Sequence, residues 1–195
     1  MKNVKLVSAA AVVALFAIAP GFAGVDTARA AGAFEITSSA FKDNDVLDKK
    51  YAAKGGPRNC DGENISPPLQ WSSVPAKTKS FAILIHDAVG GHGLGIDHWV
   101  AYGIPASTTS LAEGEVNKPP QNGNYVGGKN RIGKPFYFGP CPDVGDLPHH
   151  YEIMIVATDL EPGALAPGLD KQAFIKATEG HRLGATSIVG RYARK

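Results

Sequence analysis

The chain has 195 residues, 44% of them hydrophobic, with 20 Lys and Arg against 18 Asp and Glu. The small basic surplus sits at the N-terminus: without Lys2, Lys5, Arg29 and Asp26, 17 basic residues face 17 acidic ones. That balance leaves no electrostatic case for nucleic-acid binding, and the length from residue 31 onward suits one domain with a real core.

In chain order, residues 1–30 read as a secretory signal peptide. Lys2 and Lys5 form a positive start, Leu6 to Ala19 an apolar run, Pro20-Gly21 a breaker, and Ala28-Arg29-Ala30 a small-x-small cleavage site, with an earlier cut offered at Phe22-Ala23. The apolar run is short for a membrane span, although an uncleaved anchor is the alternative. The expectation is therefore a periplasmic or secreted protein with a single domain over residues 31–195. Both cysteines, Cys60 and Cys141, lie in that domain. An even count in an oxidising compartment points to one disulfide, two separate buried thiols being the alternative.

Phe34 to Ala40 alternates weakly and predicts a first strand. Asp43 to Gly62 is polar, with Gly55-Gly56-Pro57, and reads as a loop or irregular edge. In DGENISPPLQW, Asp61 to Trp71, the two prolines forbid a helix interior or a central strand, leaving an extended segment with Leu69 and Trp71 on one face. Phe81–His86 and Trp99–Ile104 are rich in β-formers and predict two strands. They are joined by a loop holding Gly90, Gly91, Gly93 and Gly95. Antiparallel pairing would make Asp87 and His98 neighbours, an acid and an imidazole at the sheet rim. Glu113 to Pro148 contains thirteen Gly and Pro residues, a density that excludes helix and long strands. Aromatics placed within it, Tyr125 and Phe136-Tyr137-Phe138, predict that it packs down. Tyr151–Thr158, almost wholly apolar, predicts a central strand. Asp170 as N-cap, Phe174, Ile175 and Ala177 as a stripe and Gly180 as a stop predict one late helix. Ser187–Tyr192 predicts a last strand. The whole is mostly β with a little α.

Six histidines, His86, His92, His98, His149, His150 and His181, invite three chemical readings. A metal site is disfavoured because their spacing matches no short metal motif. Hydrolysis finds an acid and imidazoles in Asp87, His98 and His149. It finds no G-x-S-x-G elbow, and bridged cysteines supply no nucleophile. The third reading is an anion pocket. In GPCPDVGDLPHHYE, Gly139 to Glu152, a Gly-Pro turn precedes His149 and Tyr151, which point to one side of a strand. Imidazole and phenol donors with free backbone N–H groups suit a phosphate or carboxylate. Asp87 is unfavourable for an anion unless it orients an imidazole or meets the amine of a zwitterion. The plainer alternative is that these polar groups only tie loops to the sheet edge.

Four stretches in order, DGENISPPLQW, KSFAILIHD, DHWVAYGIPA and GPCPDVGDLPHHYEI, resemble the phosphatidylethanolamine-binding proteins, in the bacterial branch called Raf kinase inhibitor-like. The resemblance runs from about Phe34 to Tyr192. It implies a large antiparallel β-sheet packed with a smaller one and a few peripheral helices near the C-terminus. It implies a small pocket for phosphate-type headgroups, and binding or inhibition rather than catalysis, with no cofactor. Carried over by position, the ligand-binding set is Asp87, His98, Gly139, Pro140, Cys141, His149 and Tyr151, with His98 and His149 as main donors. The chain departs from the family where Val89 replaces the second acid of Asp-x-Asp-Ala-Pro, Gly90-Gly91 its Ala-Pro, and His150 the arginine of His-Arg-Tyr. A Cys60–Cys141 bridge would pin the pocket wall to the segment that runs under it. The expected partner is a small anionic or zwitterionic ligand such as phosphate or a phosphoethanolamine headgroup. The rival from another class is an interaction module inhibiting a protease or kinase, although an exported chain does not meet a cytosolic kinase. A hydrolase is a more distant third.

Overall fold

The computed structural model describes residues 32–118 and 124–195, so the predicted signal segment lies outside the described residues. The frame is set by three strands that are apolar on both faces: β6 (Ser80–Asp87), β7 (Ile96–Pro105) and β10 (His149–Thr158). With β2 (Asp45–Val46), β9 (Val126–Gly127) and β11 (Arg182–Tyr192) they form a six-stranded sheet in the order β2-β11-β10-β6-β7-β9. All pairings are antiparallel except the edge pairing of β2 with β11. A second sheet is built from β1 (Glu35–Thr37), β5 (Leu69–Ser72) and β8 (Ser110–Leu111) in the order β1-β5-β8.

The absence of alternation in β6 has a direct cause, since each face meets its own core. Phe81, Ile83 and Ile85 point to one side, where they join Trp99, Ile153 and Ile155 and meet Ile36, Leu69 and Trp71 of the small sheet. Trp71 sets its ring edge-on to Phe81, with centroids 5.5 Å apart at 67°. Each such fully buried side chain contributes roughly 1.5–3 kcal/mol. On the other face Ala82 and Leu84 join Val100, Tyr102 and Val156 beneath Phe174. Phe174 belongs to the one α-helix among the described residues, α1 (Lys171–Ala177). Its cap is the one expected: the Asp170 carboxylate accepts the Ala173 N–H at 2.8 Å, and Gly180 follows at φ +78°.

Several predicted boundaries moved: β1 is shorter than Phe34–Ala40, β7 starts at Ile96 rather than Trp99, and β10 at His149 rather than Tyr151. β11 starts at Arg182 rather than Ser187. Its first half is exposed or half-buried, so it carries no apolar signal; backbone pairing with β10 defines it, from Thr158↔Arg182 to His149↔Tyr192. The predicted irregular stretch Asp43–Gly62 holds β2, a 3-10 turn at Lys49–Tyr51, and a small ribbon of β3 (Lys54–Gly55) with β4 (Cys60–Asp61).

The described parts of Glu113–Pro148 contribute the two-residue β9 to the large sheet, and amide side chains tie down much of the rest. Asn130 donates to the Phe136 carbonyl at 2.8 Å, and its Oδ1 accepts the N–H groups of Ile132 and Lys134. Asn64 donates to Tyr137 O and accepts the Gly139 N–H at 2.8 Å. Phe138 N–H donates to the His98 carbonyl at 3.0 Å, laying this segment along β7. The predicted bridge is present: Cys60 and Cys141 form a disulfide with Cα atoms 5.8 Å apart.

Candidate functional site

The site gathers at one end of the large sheet, where β6 ends and β10 begins. Their register places Tyr151 opposite Asp87. The Asp87 carboxylate is 2% exposed and fully engaged. Its Oδ2 accepts the His149 Nδ1–H at 2.7 Å, and its Oδ1 accepts the backbone N–H groups of Val89 and Gly90, each at 3.1 Å. Gly90 is held to glycine by this closure, because a Cβ there would lie 2.8 Å from Asp87 Oδ2 and 2.7 Å from Ile96 Cδ1.

The expected couple of Asp87 with His98 is corrected. Ile85 pairs with Trp99 but His86 pairs with Asp97, which leaves His98 as the extra residue of a β-bulge. The bulge separates two polar pairs onto opposite faces. On the outer face His86 Nδ1 lies 2.7 Å from Asp97 Oδ1, with Lys171 Nζ at 3.2 Å from the same oxygen. His98 itself is turned inward and is 3% exposed. The imidazole that Asp87 orients is His149, from β10.

His98 is set by its neighbours. Its Nδ1–H donates to the Phe138 carbonyl at 2.7 Å, an oxygen that can only accept, so the tautomer is defined. The ring stacks on Phe138 with centroids 5.7 Å apart at 12° and meets Tyr151 edge-on at 5.0 Å. Burial pushes its pKa below the ordinary value, outweighing the Phe138 carbonyl and the Asp87 and Asp97 charges that pull it up. Burial therefore favours the neutral imidazole, in which Nε2 carries a lone pair. That atom is buried and has no hydrogen-bond partner among the described residues. The Nδ1–H of His98 is spent on Phe138, so Nε2 is the nitrogen left to face the cleft.

Tyr151 stacks on His149, centroids 6.4 Å apart at 24°, as their spacing on one strand face requires. Burial first, then the Asp87 carboxylate, hold its hydroxyl well above the usual phenol range, so it keeps its proton. His149 Nε2 lies 3.4 Å from Asp146 Oδ2 in the exposed loop ahead of β10.

These groups line a cleft of about 1360 Å³. Of the sequence-predicted set, Asp87, His98, Cys141, His149 and Tyr151 line it, and Gly139 and Pro140 do not. Those two stand behind its wall. A Cβ on Gly139 would collide with the backbone of Tyr51 and Ala52, and the Pro140 carbonyl accepts the Ala53 N–H at 2.9 Å. Cys60 and Cys141 both face the cleft, so the disulfide is part of its wall. Arg194 fastens the C-terminal tail to the same corner, donating to the carbonyls of Arg58, Asn59 and Pro142. Sequence reasoning missed the cleft cations Lys54, Arg58 and Arg131, which lie on three separate segments and form no run. It also missed the role of Phe138, whose only signal was an aromatic within a Gly/Pro-rich stretch.

The two packed sheets match a known family. The model described as phosphatidylethanolamine-binding protein covers residues 37–193, and the chain belongs to that family. It is 34% identical over 159 residues to a UPF0098 protein of Methanothermobacter thermautotrophicus, covering 82% of this chain and 98% of that one. It is 37% identical over 133 residues to the UPF0098 protein YbcL of Escherichia coli K12, covering 67% and 72% of the two chains. A Mycobacterium tuberculosis relative named provisionally as a lipoprotein, LppC, is 36% identical over 141 residues, 70% of this chain and 63% of that one. The crystal structure of E. coli YbcL, described as a new member of the mammalian PEBP family, superposes with a TM-score of 0.74 at 30% identity, covering 83% of this chain and 99% of that one. No helix among the described residues is long and apolar enough to cross a membrane.

Proposed function

We propose that this chain is an exported binding protein whose cleft takes a small phosphate-bearing anion or zwitterion, such as phosphate or a phosphoethanolamine headgroup, without chemical turnover. The observation that carries the reading is the buried, unpartnered Nε2 of His98 in the wall of a cleft that also presents His149 and Tyr151. Leaving a buried polar group unpaired costs about 1–3 kcal/mol, which a ligand group seated there would offset. Lys54, Arg58 and Arg131 around the cleft supply positive charge for the anion. The acids left for a ligand amine are the exposed Asp146 and Asp143, the latter 3.1 Å from Arg58, because Asp87 is closed by His149 and the loop. Binding rather than turnover is supported by the bridging of both cleft cysteines, which leaves neither as a nucleophile. Export is supported by the pattern of residues 1–30 and by the disulfide.

The test is calorimetric titration of the purified protein with O-phosphorylethanolamine and with inorganic phosphate. Saturable binding that His149→Ala abolishes supports the reading, and no heat with either probe rejects it.

A second reading, an interaction module inhibiting a protease, is favoured by apolar side chains exposed around the cleft: Leu147 at 85% and Val89 at 51%. The two separate cleanly. Inhibition of a protease retained in His149→Ala and lost in Leu147→Asp would favour the interaction surface over the pocket.

A further inference from the structure

The proposed pocket offers a donor and an acceptor side by side, and this narrows what can fill it. His149 has its Nδ1–H committed to Asp87, so Nε2 is the nitrogen left to meet a ligand; its nearest acid, Asp146, is exposed and 3.4 Å away. Tyr151 adds a hydroxyl for which no partner is found among the described residues, on the same strand face. Opposite them His98, with Nδ1–H fixed on the Phe138 carbonyl, has only a lone pair to offer. The Asp87 oxygens, the one other strong acceptor buried here, are filled by three hydrogen bonds.

Resting on the reading of the cleft as a phosphate site, we infer that His98 makes it selective for phosphate groups that carry a proton, that is, phosphomonoesters as their monoanions, over phosphodiesters and sulfate esters. A monoester monoanion has one P–OH to donate to His98 Nε2 and anionic oxygens to accept from the Tyr151 hydroxyl. A phosphodiester has no P–OH. Its oxygens would either turn a lone pair toward the Nε2 lone pair or leave that atom unsatisfied, and a sulfate ester fails in the same way. Sites built to pair with a ligand hydroxyl reject the analogue that lacks it, because their own buried group is then left unpaired. Protonating His98 instead would place a cation in a buried position sandwiched between Phe138 and Tyr151.

The experiment is titration of the full-length protein at about pH 5.5 with three probes of matched headgroup. These are O-phosphorylethanolamine, 2-aminoethyl sulfate and glycerophosphoethanolamine. At that pH the monoester is largely the monoanion, so its phosphoryl group and the two competing groups carry the same formal charge and differ chiefly in the proton. The expected result is binding of the monoester at least about tenfold tighter than of either competitor. His98→Gln, whose amide can turn an N–H toward the ligand, should bring the three affinities together, with folding checked by circular dichroism. Should that variant not fold, the wild-type series decides alone. Equal affinities for all three probes, or preference for the diester, overturn the inference while leaving the phosphate site standing. No binding of any probe overturns the site itself.

Discussion

Asp87 at the end of β6 and His149 at the start of β10 meet through a 2.7 Å hydrogen bond, although 62 residues separate them in sequence. The bond joins the middle of the large sheet to the loop that begins at Val89, because the same carboxylate accepts two N–H groups of that loop. One side chain therefore orients an imidazole and closes a turn.

Removing that carboxylate should be expensive. Asp87→Ala leaves His149 Nδ1 and two backbone N–H groups without their acceptor in a buried place. A loss of about 3–5 kcal/mol is expected, as for breaking a buried pair from one side. The midpoint of urea unfolding measures it, and a loss below about 1 kcal/mol would contradict the closed geometry.

The neutral, buried His98 predicts a pH dependence of stability. Its folded pKa lies below the ordinary 6.5, so below that value the unfolded chain binds a proton that the folded chain refuses. Stability should fall as pH drops from about 6.5 toward the folded pKa, by up to about 1.4 kcal/mol per unit from this group alone. Unfolding free energies between pH 5 and 7 should show a slope that is shallower in His98→Gln. An unchanged slope would mean that another group titrates there.

The Cys60–Cys141 bridge closes a span of 81 residues. By chain-entropy reasoning, opening it should cost about 4–5 kcal/mol before any relaxation of the native state. Both sulfurs sit in the cleft wall, so ligand affinity should fall as well. Thermal melting and phosphate titration before and after reduction measure both effects. A protein equally stable and equally active in binding after reduction would remove the bridge from the account of the pocket.

Tyr151→Phe separates packing from chemistry. The ring keeps its contacts with His98 and His149, and only the hydroxyl is lost. Melting should change little, while phosphate affinity drops roughly three- to tenfold, the worth of one hydrogen bond. An unchanged affinity would place the hydroxyl outside the site.

Much of this protein is written in local pattern. The apolar runs 81–85, 99–104 and 153–157 dictate strands because each must bury both faces, and the helix follows from Asp170, Phe174 and Gly180 by capping and spacing alone. The likeness of four ordered stretches to phosphatidylethanolamine-binding proteins was also legible, as was the even cysteine count that became a disulfide. Short strands such as β2, β3 and β4 were not legible, since two residues have no period and exist only because a neighbour pairs with them.

What only the tertiary structure decided is which acid meets which imidazole. Read along the chain, Asp87 and His98 belong together at the rim of one hairpin. A single extra residue in β7 breaks that pairing, sends Asp97 to His86 on the outer face and turns His98 inward beneath Phe138. Asp87 is then met by His149 from the neighbouring strand. A β-bulge has no sequence signature of its own, because it is set by how two strands register under the packing of both cores. The residue types of the site were thus determined by the sequence. Their partners were decided by register.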